Sequence, residues 1–135
     1  MIQTKTNDLE SYQSRTSAVE TYFRTLNQGQ LDLAAALFSE KGQLIPPFDS
    51  PVVGRQAIAD YLKQEATDMN FYPTSETTQV LVDGRLEVKV KGKVSTSAFS
   101  VKVVWNFIIT DVKIDLVMVN LLASLQELIN IRPEG

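Results

Sequence analysis

Between Phe99 and Thr110 apolar and polar positions alternate over twelve residues. Phe99, Val101, Val103, Trp105, Phe107 and Ile109 fall on one side. Ser100, Lys102, Asn106 and Thr110 fall on the other, with Val104 and Ile108 among them. A period of two predicts a β-strand. Its apolar face bears three aromatic rings, including the chain's sole tryptophan, and needs broad cover. The Trp105 indole N–H also needs an acceptor once buried. A backbone carbonyl in the core and a ligand in a cavity both meet that need.

Before this strand the period is helical. Ala18, Val19, Tyr22, Phe23 and Leu26 recur at spacings of three and four, predicting a helix from Ser14 to Gln28 that ends before Gly29. Leu31, Leu33, Ala34, Leu37 and Phe38 predict a short second helix closing by Lys41-Gly42. Gln43-Leu44-Ile45 predicts a short strand stopped by Pro46-Pro47, and Pro46 to Pro51 a stiff loop around Phe48. Gly54 opens a third helix, Arg55 to Ala66, with Ala57, Ile58, Tyr61 and Leu62 on one face.

After Asn70 the pattern turns to strands. Thr77 to Val82 runs into Asp83-Gly84, the signature of a two-residue hairpin turn. Arg85 to Thr96 then alternates, with Leu86, Val88, Val90 and Val94 inward and Arg85, Glu87, Lys89, Lys91 and Lys93 outward. A turn at Ser97-Ala98 leads to the Trp105 strand, and Asp111-Val112 turns into a last strand from Lys113 to Leu122. From Leu116 onward that strand is apolar on nearly both sides, so it is either central or part of a subunit interface. Ser124 to Glu127 has the form of a capping box for a short final helix, ended by Arg132-Pro133. Helices followed by hairpin-linked strands predict an α+β fold, a curved antiparallel sheet with helices on one face. Residues 1–13 read as a loose lead-in and 14–135 as one domain.

Composition narrows the chemistry. The chain has 135 residues with 44% hydrophobic and 21% charged positions, ordinary for a soluble domain. A net charge of −3 argues against a nucleic-acid surface, and no apolar run is long enough to span a membrane. The polar N-terminus has no signal-peptide core, so a cytoplasmic location is expected. The sequence contains neither cysteine nor histidine, which removes thiol chemistry and the commonest metal ligand; no metal site is expected. Acids are scattered, with no pair at acid/base spacing along one element. The Lys89, Lys91, Lys93 row reads as a solvated strand face. Tyr22 lies on the apolar face of the first helix, as a buried donor or a snorkelling phenol. Glu65 closes the third helix, where an acid is electrostatically disfavoured, and this gives it some functional weight.

The order of elements resembles the nuclear transport factor 2 superfamily, which includes ketosteroid isomerases, polyketide cyclases and binding modules; its fold is a cone around a pocket. Several stretches resemble the C-terminal domain of the orange carotenoid proteins and their free-standing homologues. They are Tyr22 to Asn27, Ala35 to Phe38, Leu44 to Phe48, Pro51 to Ile58, Tyr61 to Ala66 and Leu121 to Leu128. The resemblance implies that Tyr22 and Trp105 donate hydrogen bonds to a carotenoid's ring keto oxygen, and that Glu65 bridges to a helical carotenoid-binding domain. One departure is the run Thr96 to Ser100, which sets Ala98 where the family carries a second tryptophan for that bridge.

The reading is therefore a carotenoid-binding domain for pigment carriage, storage or photoprotection. By resemblance the ligand is a ketocarotenoid such as echinenone or canthaxanthin. Phe38, Ile45, Phe48, Phe71, Phe99, Val101, Val103, Phe107, Val117 and Val119 are the expected apolar lining. A homodimer through the outer sheet face is expected, with a helical carotenoid-binding domain protein as a further partner. Two alternatives stand beside this reading. One is a small isomerase or cyclase of the same fold using Tyr22 as an oxyanion donor, although the usual base position holds Ile45-Pro46-Pro47 and Asp49 is the nearest acid. The other is a ligand-free dimerisation module.

Overall fold

The computed structural model describes residues 16–122. The expected lead-in over 1–13, the helix start at Ser14 and the final helix after Ser124 lie outside them. Helix α1 runs through residues 16–27. Its buried stripe is Ala18, Val19, Tyr22, Phe23 and Leu26. Gly29 adopts a left-handed φ of 74° and donates its N–H to the Leu26 carbonyl, closing the last turn. Helix α2 (Leu31–Ala36) is shorter than its apolar spacing predicts. The chain becomes extended at Phe38, so β1 (Phe38–Ile45) takes residues the spacing assigned to the helix, and Leu33 is exposed. Within β1 the chain packs tightly at Gly42, where a Cβ would stand 3.0 Å from the Phe38 Cβ and from the Ser39 and Ile114 carbonyls, so a side chain would crowd its neighbours.

Strand β2 (Val52–Val53) pairs with β1, and helix α3 (Arg55–Glu65) follows Gly54, whose φ is 94°. Ile58, Ala59 and Leu62 face the core; Ala57, expected on that face, is exposed. The Arg55 Nε donates to the Phe38 carbonyl at 2.8 Å and ties α3 to β1. Strands β3 (Asn70–Val80), β4 (Leu86–Ser95), β5 (Ser100–Thr110) and β6 (Lys113–Leu121) form a meander. The β3–β4 connection is wider than a two-residue turn: the Leu81 N–H still bonds the Arg85 carbonyl, leaving Val82, Asp83 and Gly84 as the loop.

The sheet order is β2-β1-β6-β5-β4-β3. Neighbours are antiparallel except β1 and β6, which run parallel, so the sheet is mixed and not antiparallel throughout as expected. Strand β6 is central in this order, yet Leu116 and Met118 on its outer face stay half-buried. Pairing sets the inner face in rows. Leu86, Ile109 and Ile114 form one row, Val88, Phe107 and Val117 the next, and Val90, Trp105 and Val119 the next. Helices α1 to α3 cover this face, with fully buried Phe38, Ile58, Phe107 and Ile109 in the core.

Candidate functional site

The inner face is not packed along its whole length. The rows ending in Phe107 and Ile109 are sealed by α1, where Tyr22 meets Phe107 edge-on at 5.5 Å and Phe38 at 5.9 Å between ring centroids. From the Trp105 row toward the β4–β5 hairpin the helices stand away from the sheet. A cavity of about 280 Å³ opens there. Its walls are almost wholly apolar: Leu26 of α1, Leu62 and Ala66 of α3, Leu44, Met69, and Val94, Val101 and Val103 of the sheet.

Two donors face this space. Tyr22 and Trp105 line the cavity and are each 2% exposed. Phe23 packs edge-on against Trp105 at 4.7 Å and Phe71 tilts against it at 6.4 Å, which fixes the indole. Phe71 is itself clamped, because Asn27 donates its side-chain N–H to the Phe71 carbonyl at 2.8 Å and accepts the Phe71 N–H at 2.7 Å. Among the described residues neither the Tyr22 hydroxyl nor the Trp105 N–H has a hydrogen-bond partner. Yet no side-chain nitrogen or oxygen of the described residues is sealed away without a partner. Both residues line the cavity. Burial, with the Tyr61 phenol nearby, pushes the Tyr22 phenol above its ordinary 10.0, so it stays a neutral donor. Two donors without a partner among the described residues, in an apolar pocket, suit one ligand carbonyl oxygen, which has two lone pairs.

The mouth has a different character. Phe48 follows Pro46 and Pro47 with a φ of 64°, in the left-handed region that costs a bulky residue strain, and is 93% exposed. Phe99 lies across the opening, also largely exposed. Tyr61 and Glu65, one turn apart on α3, add the remaining polar side chains of the wall. Burial, then Glu65 and Asp49, raise the Tyr61 phenol above its ordinary 10.0. Asp49 itself is exposed and accepts the Ser50 N–H on the loop. Among the described residues no group of acids is placed to hold a metal ion.

Of the expected lining, Tyr22, Phe48, Phe71, Phe99, Val101, Val103, Trp105 and Val119 reach the cavity, and so does Glu65, expected as a partner contact. Phe38, Phe107 and Val117 face inward but lie in the sealed rows, fully buried in the core. Alternation tells which face a residue takes; it does not tell how far along the strand the helices cover that face. Ile45 takes the opposite face, in register with Met118, and Leu44 lines the cavity in its place. Sequence reasoning missed Leu26, Tyr61, Leu62, Ala66 and Leu121. Helical spacing held the signal: Leu26 is one turn past Tyr22, and Ala66 one turn past Leu62.

Residues 15–120 match the model of the nuclear transport factor 2 (NTF2) domain. The chain is 32% identical over 120 residues to an orange carotenoid-binding protein of Limnospira maxima, covering 85% of this chain and 38% of that protein. It is 33% identical over 119 residues to one of Synechocystis sp., covering 84% and 38%. It thus spans less than two fifths of the length of these relatives. The structure of an orange carotenoid protein of Anabaena (Nostoc) sp. binding canthaxanthin superposes with a TM-score of 0.77 at 37% identity, over 85% of this chain and 39% of that one. An epoxide hydrolase/cyclase-like enzyme of polyether salinomycin formation, 23% identical over 86% of this chain and 95% of its own, superposes with a TM-score of 0.69 and shares the fold alone. The chain belongs to the nuclear transport factor 2 family.

Proposed function

We propose that this chain is a carotenoid-binding domain that takes the keto-bearing ring of a carotenoid into its apolar cavity. The observation that carries the reading is the pair of donors, Tyr22 and Trp105, without a partner among the described residues and lining a pocket with otherwise apolar walls at that end. Relatives named for carotenoid binding, and a similar structure holding canthaxanthin, support the ligand class. Burying ring and polyene contributes roughly 25 cal/mol per Å² of apolar surface. The two hydrogen bonds add about 1 kcal/mol each and select a keto ring over a plain one. The polyene leaves past Phe48 and Phe99. A long pigment extends beyond one such cavity, so a second protomer holds its other end. Carriage, storage or photoprotection is the role this implies. Glu65, exposed at the mouth and without an ion pair among the described residues, is available to a basic group of a helical carotenoid-binding partner.

The test is expression in a host that makes ketocarotenoids. A coloured protein, its absorption red-shifted from the free pigment, is the expected product; a colourless one overturns the reading. The enzyme alternative would need a base on the cavity wall. Asp49 points its carboxylate to the loop, and Glu65 is the one carboxylate on the wall among the described residues. Incubation with a 5-en-3-ketosteroid is expected to leave it unchanged, and turnover lost in Glu65→Gln would favour the enzyme.

A further inference from the structure

A keto oxygen is satisfied by two donors, and Tyr22 with Trp105 already supplies them. The same cavity nevertheless carries another polar pair, Tyr61 and Glu65, one turn apart on α3. Tyr61 is half-buried, and neither side chain has a hydrogen bond or ion pair among the described residues. Around them the wall is apolar, with Leu62, Ala66, Met69 and Phe71. We propose that Tyr61 is a specificity-determining residue, which with Glu65 receives a hydroxyl on the ring carbon beside the keto group, so that the preferred ligand end is an α-hydroxyketone ring. The inference rests on the carotenoid reading and goes beyond it by naming the ring.

The placement supports this. Tyr61 and Glu65 line the same cavity as Tyr22 and Trp105, so one ring held there meets both pairs. Burial and the nearby acids keep Tyr61 protonated, so it donates at neutral pH. A vicinal hydroxyl can accept from that phenol while donating to the Glu65 carboxylate, and both protein groups are then satisfied when the ligand displaces water. A ring with only a methylene at that position covers the Tyr61 phenol and gives it nothing in return. Sites that hydrogen-bond a substrate hydroxyl discriminate against analogues lacking it. Here one group is half-buried, so the preference expected is about tenfold, one well-formed hydrogen bond.

The experiment expresses the full chain in hosts that accumulate a symmetric diketo carotenoid and its 3,3′-dihydroxy counterpart in comparable amounts. Bound pigments are extracted and their ratio compared with that in the host's membranes. The wild type is expected to be enriched about tenfold in the hydroxylated pigment. Tyr61→Phe, which keeps the ring in the wall, should abolish the enrichment, bringing the bound ratio down to that of the membranes. Glu65→Leu at the exposed mouth should weaken the enrichment and Glu65→Gln retain part of it. A coloured wild type whose pigment ratio equals that of the membranes overturns this inference and leaves the carotenoid reading standing. Equal loss of both pigments in Tyr61→Phe also overturns it, since that is the signature of a packing role. A colourless wild type overturns the carotenoid reading itself and this inference with it.

Discussion

The two faces of strands β5 and β6 treat polar groups in opposite ways. On the outer face the Asp115 carboxylate sits at a β-bulge, where Ile108 pairs with Leu116 but Ile109 with Ile114. It accepts from Ser39 Oγ at 2.8 Å and from Thr110 Oγ1 at 2.5 Å, and the Arg85 guanidinium stands 3.8 Å away. Its polar groups are answered from within the chain. Facing the inner side, Tyr22 of α1 and Trp105 of β5 are buried residues whose donors have no hydrogen-bond partner among the described residues and line the cavity. Apolar groups show the reverse. Those of the inner face are packed or line a cavity, whereas Val104, Ile108, Leu116 and Met118 on the outer face are only half-buried. A face that lacks acceptors suits a small ligand with a carbonyl; a face that lacks apolar cover suits a protein surface.

The largest effect should come from the sealed rows. Phe107→Ala removes a fully buried ring that Tyr22 and Phe23 pack against, and should cost about 3–5 kcal/mol in denaturant unfolding. Val101→Ala trims a wall beside space that is already open, and should cost about 1 kcal/mol or less. Equal losses would mean that the inner face is one packed core, and the distinction between its two halves would fail.

The outer face comes next. A homodimer through Ile45, Val104, Ile108, Leu116 and Met118 is the expected assembly, by the isologous contact usual for such a face. Met118→Glu would bury an unpaired charge there and weaken association by about 2 kcal/mol or more, about thirtyfold. Light scattering at tens of micromolar should give a dimer for the wild type and a monomer for the variant. A monomeric wild type counts against this use of the face.

These contrasts bear on what the sequence could disclose. Period and turn chemistry located the end of α1, and α3 and the β4–β5–β6 meander, to within a residue or two, because each buries one regular face. They failed at α2, where Leu37 and Phe38 have helical spacing yet Phe38 pairs with Ile114 as the first residue of β1. They could not reveal the parallel β1–β6 pairing, since α3 and the rest of the meander separate the two strands in sequence. At the site Tyr22 and Trp105 were legible through resemblance. The border between core and cavity was not, because it depends on where helices leave the sheet. Phe107 and Val103 are equivalent by alternation and differ only in what lies above them.

A smaller effect sharpens the ligand side. Tyr22→Phe and Trp105→Phe each remove one donor and keep an aromatic ring. Each should weaken ketocarotenoid binding by about 1 kcal/mol, roughly fivefold, and shift the absorption part of the way back toward the free pigment. The double variant need not be additive, because both donors share one acceptor. A carotenoid without a keto group should bind more weakly and respond little to either change. Equal binding of keto and plain pigments, with spectra unchanged in both variants, would return Tyr22 and Trp105 to the role of core residues.

The smallest effect tests whether the inner face leaves other polar groups unanswered where no ligand is expected. Glu76 on β3 is in register with Val90 and so shares the inner face; Glu20 of α1 stands across a groove from it. Partial burial first, and Glu20 second, raise the Glu76 carboxyl above its ordinary 4.5. An acid whose folded value is raised binds its proton more tightly in the folded state. The folded state then loses stability as pH climbs through the window above 4.5, with no loss below it. Glu76→Gln removes the charge and keeps the shape. At pH 7 it should stabilise the chain by about 0.3 kcal/mol, a small figure because water screens a group this exposed. At pH 4 the gain should vanish. Added salt should shrink the part that comes from Glu20. Glu20→Gln should give part of the same gain, and the double variant less than the sum, since either change removes the same repulsion. Chemical denaturation at the two pH values measures all of this, and a Glu76→Gln chain less stable than the wild type at pH 7 would mean that this carboxylate, like Asp115 on the other face, has a partner after all.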